Sequence, residues 1–165
     1  MPTQLSVLVD DLFAGDRQRR LEAAEQLSRL GSEVRPAAVN LVKACRDESE
    51  EIREYVVAAL EEMGPPRLED SFLLAELLND ASADVGYWAA TLLGRLKQGA
   101  AEAVPGLADV LAGPADLSVR QRAAWALGEI GPAARPAVDV LRQAEAEGNP
   151  RLARVAHQAR EKIEQ

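Results

Sequence analysis

Apolar and polar positions follow one another along this chain in a pattern that occurs four times. In each copy, two small apolar residues and two large ones stand at i, i+1, i+4 and i+7, which places a single apolar stripe on an α-helix. The small pair lets a neighbouring helix come close, and the large residue fills the space beyond it. A fixed period predicts stacked helical repeats. The residues at i+4 are Leu27, Leu60, Leu93 and Leu127, at separations of 33, 33 and 34 residues.

A second apolar stripe follows each of these helices after a break. Glycine just past the first helix is typical of a C′ position, and proline near the start of the second costs little because the first turn has unpaired N–H groups. The glycines past the first helices are Gly31, Gly64 and Gly131, and the prolines near the starts of the second helices are Pro36, Pro105 and Pro136. Further apolar-faced helices at both ends are typical of caps, because an end repeat has only one neighbour.

The pattern therefore predicts an all-α fold of about ten helices, with four helix pairs and two capping helices. Low aromatic content, 4% against 47% apolar residues, agrees with closely packed helices. We expect a single domain over residues 1–165. Its segments are a capping helix at 3–14, repeats at 16–47, 48–80, 81–113 and 114–147, and a second capping helix at 148–165.

The repeat has a recognisable consensus, D-x-x-x-x-V-R-x-x-A-A-x-A-L-G-x-I-G, with a proline opening the second helix. It is best developed at 117–141 and next best at 83–96. This pattern resembles the HEAT-like repeat family named after the phycobilisome lyases. The resemblance covers nearly the whole chain and implies an α-α superhelix, a HEAT-like α-solenoid of antiparallel helix pairs whose second helices line a concave surface. Repeat one departs from it with Arg19-Arg20 in place of Val-Arg, and repeat three has Gly86 in place of the arginine.

Few residues in this chain are suited to catalysis. One cysteine excludes an intrachain disulfide, and Cys45 falls on the core stripe, which favours a buried inert thiol. The only histidine, His157, is expected on the surface of the last helix, and one histidine excludes a di-iron site built from several His-Glu pairs. No nucleotide or zinc motif is present. We therefore predict no catalytic, cofactor or metal site, and a protein that is not an enzyme.

Two other kinds of residue are more typical of packing than of a site. Trp88 and Trp125 stand in columns that tolerate polar residues in other repeats, so both are expected to be half exposed between helices. The turn acids Asp47 and Asp116 are expected to pair with the arginines that follow them, Arg53 and Arg120, as capping pairs between repeats.

Charge is concentrated in repeat two. The net charge is −8, whereas residues 47–84 contain twelve acids and two bases, or −10. Such a segment disfavours nucleic acid as a partner, because a basic groove is needed to neutralise phosphates. A solvated face is the simplest interpretation of the acids. However, the second helix of this repeat has five large apolar residues, and one stripe can bury Leu74 and Leu78 with one flank. An apolar ledge beside acids would suit a basic amphipathic partner.

The favoured function is a non-enzymatic protein-protein interaction scaffold or adaptor, which binds a protein partner of basic or amphipathic character. The alternatives are a bilin lyase-type or chaperone-like subunit acting on a phycobiliprotein, and a structural segment of a larger assembly. No apolar run approaches the roughly 20 residues of a membrane span, and the N-terminus has no basic stretch, so a cytoplasmic protein is expected. Candidate contact residues, assuming the family geometry, are Asn40, Lys43, Glu69, Asp70, Leu73, Glu76, Asp109 and Asp139.

Overall fold

The computed structural model describes all residues from 1 to 165 and contains helices but no strand. This confirms the predicted all-α class and the expected number of about ten helices. Short 3₁₀ segments precede or follow several second helices, namely Gly31–Ala37, Leu68–Asp70, Leu77–Asn79, Lys97–Ala103 and Gly131–Ala137. The α-helices are α1 (Gln4–Leu12), α2 (Arg17–Ser28), α3 (Ala38–Ala44), α4 (Glu50–Glu62), α5 (Ser71–Glu76), α6 (Ala83–Arg95), α7 (Val104–Ala112), α8 (Leu117–Ile130), α9 (Val138–Ala146) and α10 (Pro150–Glu164).

The first helices of the repeats, and α10, begin at a recurring N-cap column. Side-chain oxygens of Asp16, Ser82, Asp116 and Asn149 accept hydrogen bonds from backbone N–H groups in the first turns of α2, α6, α8 and α10. At Ser49, before α4, the neighbouring Asp47 carboxylate accepts from the Ser49 N–H instead, at 2.9 Å. These caps satisfy N–H groups that have no partner within the helix. The column explains why the helices start at a constant interval.

The glycines predicted to end the first helices do so in the left-handed conformation. Gly31, Gly64 and Gly131 have φ of 55°, 77° and 77°, which a residue without a Cβ adopts readily. The equivalent position in repeat three is Lys97, with φ of 51°. Pro105 opens α7 as predicted, whereas Pro36 and Pro136 lie in the 3₁₀ segments just before α3 and α9.

The helices form two compact units, Met1–Arg67 and Leu68–Gln165. In unit 1, α2 packs against α1 and α4, and α3 packs against α4. In unit 2, α6 packs on α8 and α8 on α10, while the second helices α7 and α9 pack against α8 and α10 respectively. The boundary falls within the predicted repeat two, between its two helices. The single-domain organisation stays a prediction.

The core consists of the predicted apolar stripes. Leu27 and Leu60 in unit 1, and Leu93 and Leu127 in unit 2, are fully buried, which confirms the helical register. Burial of such a side chain contributes about 1.5–3 kcal/mol by removing apolar surface from water. Each helix of this protein is too short or too polar to span a lipid bilayer.

One tryptophan differs from the sequence expectation. Trp88 is buried, so the prediction of half exposure is wrong for this residue, whereas Trp125 is half-buried as predicted. The Arg122 guanidinium lies between two rings, 4.6 Å from the Tyr87 centroid and 4.9 Å from the Trp125 centroid. Cation–π contacts of this kind stabilise the packing of α6 against α8. Trp88 also has a partner within unit 2, because its ring meets the Tyr87 ring edge-on at a centroid distance of 5.7 Å.

Candidate functional site

The second helix of repeat two carries exposed apolar side chains. A 3₁₀ turn at Leu68–Asp70 leads directly into α5. Leu74, Leu77 and Leu78 are buried, which confirms that one apolar stripe buries Leu74 and Leu78 together with one flanking residue, here Leu77. The residues left outside form the apolar ledge, defined as Leu68, Phe72 and Leu73, which are 64%, 70% and 45% exposed.

The apolar ledge lies within a single stretch of helical turns. Leu68 and Phe72 are four residues apart, the spacing at which side chains of successive turns are neighbours. Leu68 also lies against the backbone of Gly99, where an added Cβ would come 2.9 Å from Leu68 Cδ1. The absence of a side chain at Gly99 therefore leaves room for Leu68 to pack against the 3₁₀ segment of repeat three.

Acidic side chains border this ledge, but one predicted member is buried. Glu69 and Glu76 are exposed as expected. Asp70 is only 4% exposed, so the prediction that it is a surface acid beside the ledge is wrong. The reason is helical periodicity: the turn at 68–70 runs into α5, so Asp70 shares the side of the buried Leu74, four residues on, and Leu77, seven residues on. Asp70 does not join the candidate contact surface.

The remaining candidate contact residues lie on other helices. Asn40 is half-buried and Lys43 exposed on α3, in unit 1. Asp109 is exposed on α7, and Asp139 on α9 lies 3.4 Å from Arg142 in an exposed ion pair. The structure thus brings Glu69, Leu73 and Glu76 together around the ledge. The contact roles of all these residues stay predictions.

Sequence reasoning missed a second feature, a set of arginine clamps at the fourth position after the N-cap. In repeat one, Arg20 Nε donates to Asp47 Oδ2 at 2.9 Å, and Nη1 donates to the carbonyl oxygens of Ala14 and Gly15 at 3.1 and 3.2 Å. Arg20 and Asp47 expose only 12% and 10% of their side chains. The guanidinium therefore joins the loop before its own helix to the loop that begins the next repeat.

Arg53 and Arg120 stand at the same position after their N-caps, and they donate hydrogen bonds to other acceptors. Arg53 Nη1 donates to the carbonyl oxygens of Asp47 and Glu48 at 2.6 and 3.2 Å. Arg120 Nε donates to the Leu111 carbonyl at 2.8 Å, and its Nη2 bonds both carboxylate oxygens of Glu147 at 2.6 and 2.8 Å. The Arg120 guanidinium lowers the pKa of the Glu147 carboxyl. Arg20 and Arg120 therefore connect separate segments of the chain, whereas Arg53 bonds the loop before its own helix.

The prediction that Asp47 pairs with Arg53, and Asp116 with Arg120, is wrong. The Asp47 carboxylate pairs with Arg20, and Arg53 donates to the backbone carbonyl of Asp47 rather than to its carboxylate. The Asp116 carboxylate accepts from the N–H and hydroxyl of Ser118, which hold its pKa low. A local cap satisfies a carboxylate within its own turn, so the long arginine side chain is free to reach other acceptors.

Repeat three has no arginine in this column, and a cleft lies at that place. Gly86 takes the arginine position, and the cleft beside it has a volume of about 390 Å³. Its lining includes Asp80, Ala81, Asp109 and Asp116, and no lysine or arginine. The only sequence signal for this feature was the departure of Gly86 from the consensus.

Comparison with known proteins fixes the family. A profile of HEAT repeats matches residues 71–159, more than half of the chain. The chain belongs to the HEAT-repeat family. No curated protein matches the sequence of this HEAT-repeat protein.

Solved structures of helical repeat proteins have the same fold. The complex of CpcE and CpcF of phycocyanin lyase from Nostoc sp. PCC7120 is 21% identical, with a TM-score of 0.66 over 99% of this chain and 66% of that one. A designed armadillo repeat protein in complex with the peptide (KR)4 is 22% identical, with a TM-score of 0.62 over 95% and 80%. An engineered protein is 20% identical, with a TM-score of 0.62 over 96% and 80%. At these identities the similarity shows the fold, which is typical of protein-binding scaffolds.

Proposed function

We propose that this HEAT-repeat protein is a non-enzymatic scaffold or adaptor that binds a basic amphipathic segment of a partner protein at the apolar ledge. The observation that carries the proposal is the exposure of Leu68, Phe72 and Leu73, at 64%, 70% and 45%, in the same stretch of helical turns as the exposed acids Glu69 and Glu76. A helix or peptide with an apolar face and flanking lysines or arginines complements both features.

The apolar part of the ledge supplies affinity. Each large apolar side chain taken fully out of water contributes about 1.5–3 kcal/mol, and Phe72 is the most exposed of the three. Aromatic residues at the centre of an interface are frequent hot spots. Phe72 is therefore the proposed anchor of the contact.

The acids beside the ledge determine which class of partner is preferred. Glu69 and Glu76 are exposed beside the ledge, and residues 68–80 contain no base. Charge complementarity speeds association and disfavours partners of like charge, so a basic segment is preferred over a neutral or acidic one. The same acids would repel the phosphates of a nucleic acid.

The designed armadillo repeat protein bound to (KR)4 provides a parallel for a helical repeat fold that binds a basic peptide. Its 22% identity to this chain extends to the fold alone. The proposed partner class therefore rests on the ledge and its acids.

A direct test measures binding of a fluorescent amphipathic helical peptide of leucine and lysine to the full chain by anisotropy. Phe72→Ala and Glu76→Lys should each weaken binding about tenfold, the equivalent of about 1.4 kcal/mol. Matched controls are Leu117→Ala, which removes an apolar side chain 40% exposed on α8, and Glu161→Lys, which reverses an acid 61% exposed on α10. Both controls should bind as the wild type does.

The outcomes separate the two parts of the proposal. Equal binding by the wild type and both ledge variants would overturn the site. If a peptide with glutamine in place of lysine bound equally well, the partner would be apolar without being basic, and that part of the proposal would fail.

The bilin-handling alternative is suggested by the similarity to the phycocyanin lyase complex. Addition of a bilin to the protein tests it, since binding would shift the visible absorption of the chromophore. No binding of bilin and no binding of the basic peptide would together favour a structural segment of a larger assembly.

A further inference from the structure

We infer that the surface shared by α6, α8 and α10 binds an acidic peptide segment of a partner protein. This surface, the aromatic groove, lies within unit 2 and is defined by Tyr87, Gln121, Arg122, Trp125, Val155 and Gln158. The inference goes beyond the proposed function, because the apolar ledge lies on α5 and attracts the opposite charge. Neither proposal depends on the other.

Arg122 is a half-buried cation that has no anionic partner in the chain. Its Nη2 donates to the Tyr87 hydroxyl, and its guanidinium carbon lies 4.6 Å from the Tyr87 ring centroid and 4.9 Å from that of Trp125. A guanidinium has five N–H donors and one is used here, so four have no protein acceptor. Arg20 and Arg120, by contrast, each bond a carboxylate. Two rings therefore hold Arg122 in place while most of its donors are unused.

The charges around the aromatic groove are positive. Arg122 is the one charged residue that lines its cavity of about 280 Å³, although the chain as a whole has a net charge of −8. Arg151 lies four residues before Val155 on α10, and Arg154 lies four residues before Gln158. Both of these arginines are exposed and form no ion pair. An anionic ligand is therefore preferred over a basic one.

The aromatic groove continues along α8 and α10. A second cavity, of about 430 Å³, shares Trp125, Val155 and Gln158 with the first. The two helices lie close together beneath it, since a Cβ added to Gly128 would come 2.8 Å from Ala159 Cα. This continuity suits a stretch of peptide better than a single small anion.

The charged residues of the second cavity already have partners. Glu161 lies 3.4 Å from His157 Nε2, and Lys162 donates to Glu129. Arg122 is therefore the unpaired charge of the combined groove. A nucleic acid strand is held by several phosphate contacts at once, so a single unpaired cation favours a peptide carboxylate instead.

The neighbouring side chains have the chemistry that such a peptide requires. A carboxylate can accept from Arg122 and also from the Tyr87 O–H, which donates to no protein atom. The side-chain amides of Gln121 and Gln158 form no hydrogen bond within the chain, and an amide both donates and accepts as a peptide backbone does. Trp125 and Val155 provide apolar surface for an aliphatic side chain next to the acid.

The experiment is a titration of the ¹⁵N-labelled full chain with a short blocked peptide of alternating glutamate and leucine, followed by chemical shifts. Saturable shifts are expected at 118–125 and 155–158, with a dissociation constant on the order of 0.1–1 mM. The indole N–H signal of Trp125 should move more than that of Trp88, which is buried and does not line the groove. The same peptide with glutamine in place of glutamate should bind about tenfold more weakly.

Two variants with matched controls place the site. Arg122→Gln should weaken binding of the glutamate peptide about tenfold, whereas Arg142→Gln, at an exposed arginine of α9, should not change it. Gln158→Glu should weaken binding about fivefold by repulsion, whereas Gln143→Glu, the same exchange on α9, should not. Circular dichroism checks that Arg122→Gln is folded. Gln158 is exposed and contacts no packed ring, so Gln158→Glu decides the question by itself if Arg122→Gln unfolds.

Several outcomes would overturn the inference. These are equal binding of the glutamine peptide, shifts confined to other residues, and full binding by Gln158→Glu or by folded Arg122→Gln. Tighter binding of a single-stranded thymidine oligonucleotide at the same residues would identify nucleic acid, and not an acidic peptide, as the ligand. Shifts of these residues that grow with protein concentration in the absence of peptide would show that a second copy of the chain occupies the groove. Phe72→Ala should bind the glutamate peptide as wild type does, so failure of the ledge proposal would leave this result unaffected.

Discussion

The guanidinium of Arg120 and the carboxylate of Glu147 form a two-pronged ion pair, with Nη2 at 2.6 Å from one oxygen and 2.8 Å from the other. Arg120 lies in the first turn of α8, and Glu147 lies in the loop before α10. Since Arg120 also bonds the Leu111 carbonyl, at 2.8 Å, one side chain joins three segments of unit 2.

Replacement of Arg120 by alanine should lower the free energy of unfolding by about 1 kcal/mol, the net contribution of the hydrogen bond to the Leu111 carbonyl. The ion pair with Glu147 adds little to this figure, because the Glu147 side chain is 41% exposed and water screens its charge. Urea denaturation of the full chain measures the loss. Arg142→Ala, which removes an arginine 58% exposed on α9, is the matched control and should change stability by less than about 0.5 kcal/mol.

Acid should weaken the Arg120–Glu147 pair in a defined direction. The guanidinium holds the pKa of the Glu147 carboxyl below its ordinary value of 4.5, so the contribution to stability is complete above that value and is lost as pH falls through the lower folded-state pKa. Between about pH 6 and about pH 3, wild type should therefore lose more free energy of unfolding than Glu147→Gln. Parallel pH curves for the two proteins would contradict this assignment. The pKa of Glu145, lowered by its hydrogen bond to Arg160, adds to the acid sensitivity of both proteins in the same direction.

Leu93→Ala should cost about 2–5 kcal/mol, because Leu93 is fully buried on the core stripe of α6 and its truncation leaves a cavity. Thermal or chemical unfolding measures the change. Glu76→Lys, on the exposed side of α5, should leave stability within about 0.5 kcal/mol of wild type. A loss as small as that at Leu93 would mean that the helical register is wrong.

Lys97→Gly should stabilise the protein by about 1 kcal/mol. Lys97 has φ of 51°, a left-handed conformation that costs a residue with a Cβ roughly 1–2 kcal/mol, part of which glycine loses again through its greater freedom in the unfolded chain. Gly131→Ala provides the reverse case, since Gly131 has φ of 77° and nothing lies within 4 Å of its added Cβ. Its expected loss of stability comes from backbone strain alone. If both changes had the same sign, the strain at this position would not control stability.

Most of the fold was predictable because it follows from local periodicity. Leu27 and Leu93 are buried where the repeat places them, and the exposure of Phe72 follows from the limited width of one helical stripe. Asp70 was misplaced because the helical turns begin at 68, before the predicted helix, and so place Asp70 on the buried side, one turn before Leu74 and two turns before Leu77. The pairing of Arg20 with Asp47 was not predictable, since it joins residues 27 positions apart across loops whose geometry no periodic pattern specifies.

The N-cap column has a consequence for how the length of this protein can change. Each capping side chain lies two or three residues before the N–H group that it caps. A stretch that runs from one N-cap to the next therefore contains the cap of its own helix. Duplication or deletion of such a stretch within unit 2 would leave every new helix start capped. The arginine clamps behave differently, because Arg120 takes its carboxylate from the following loop, and a new junction keeps that clamp only where the loop brings an acid of its own. The number of repeats can therefore change without loss of helix caps, whereas the bonds between neighbouring repeats depend on which residues stand at each new junction.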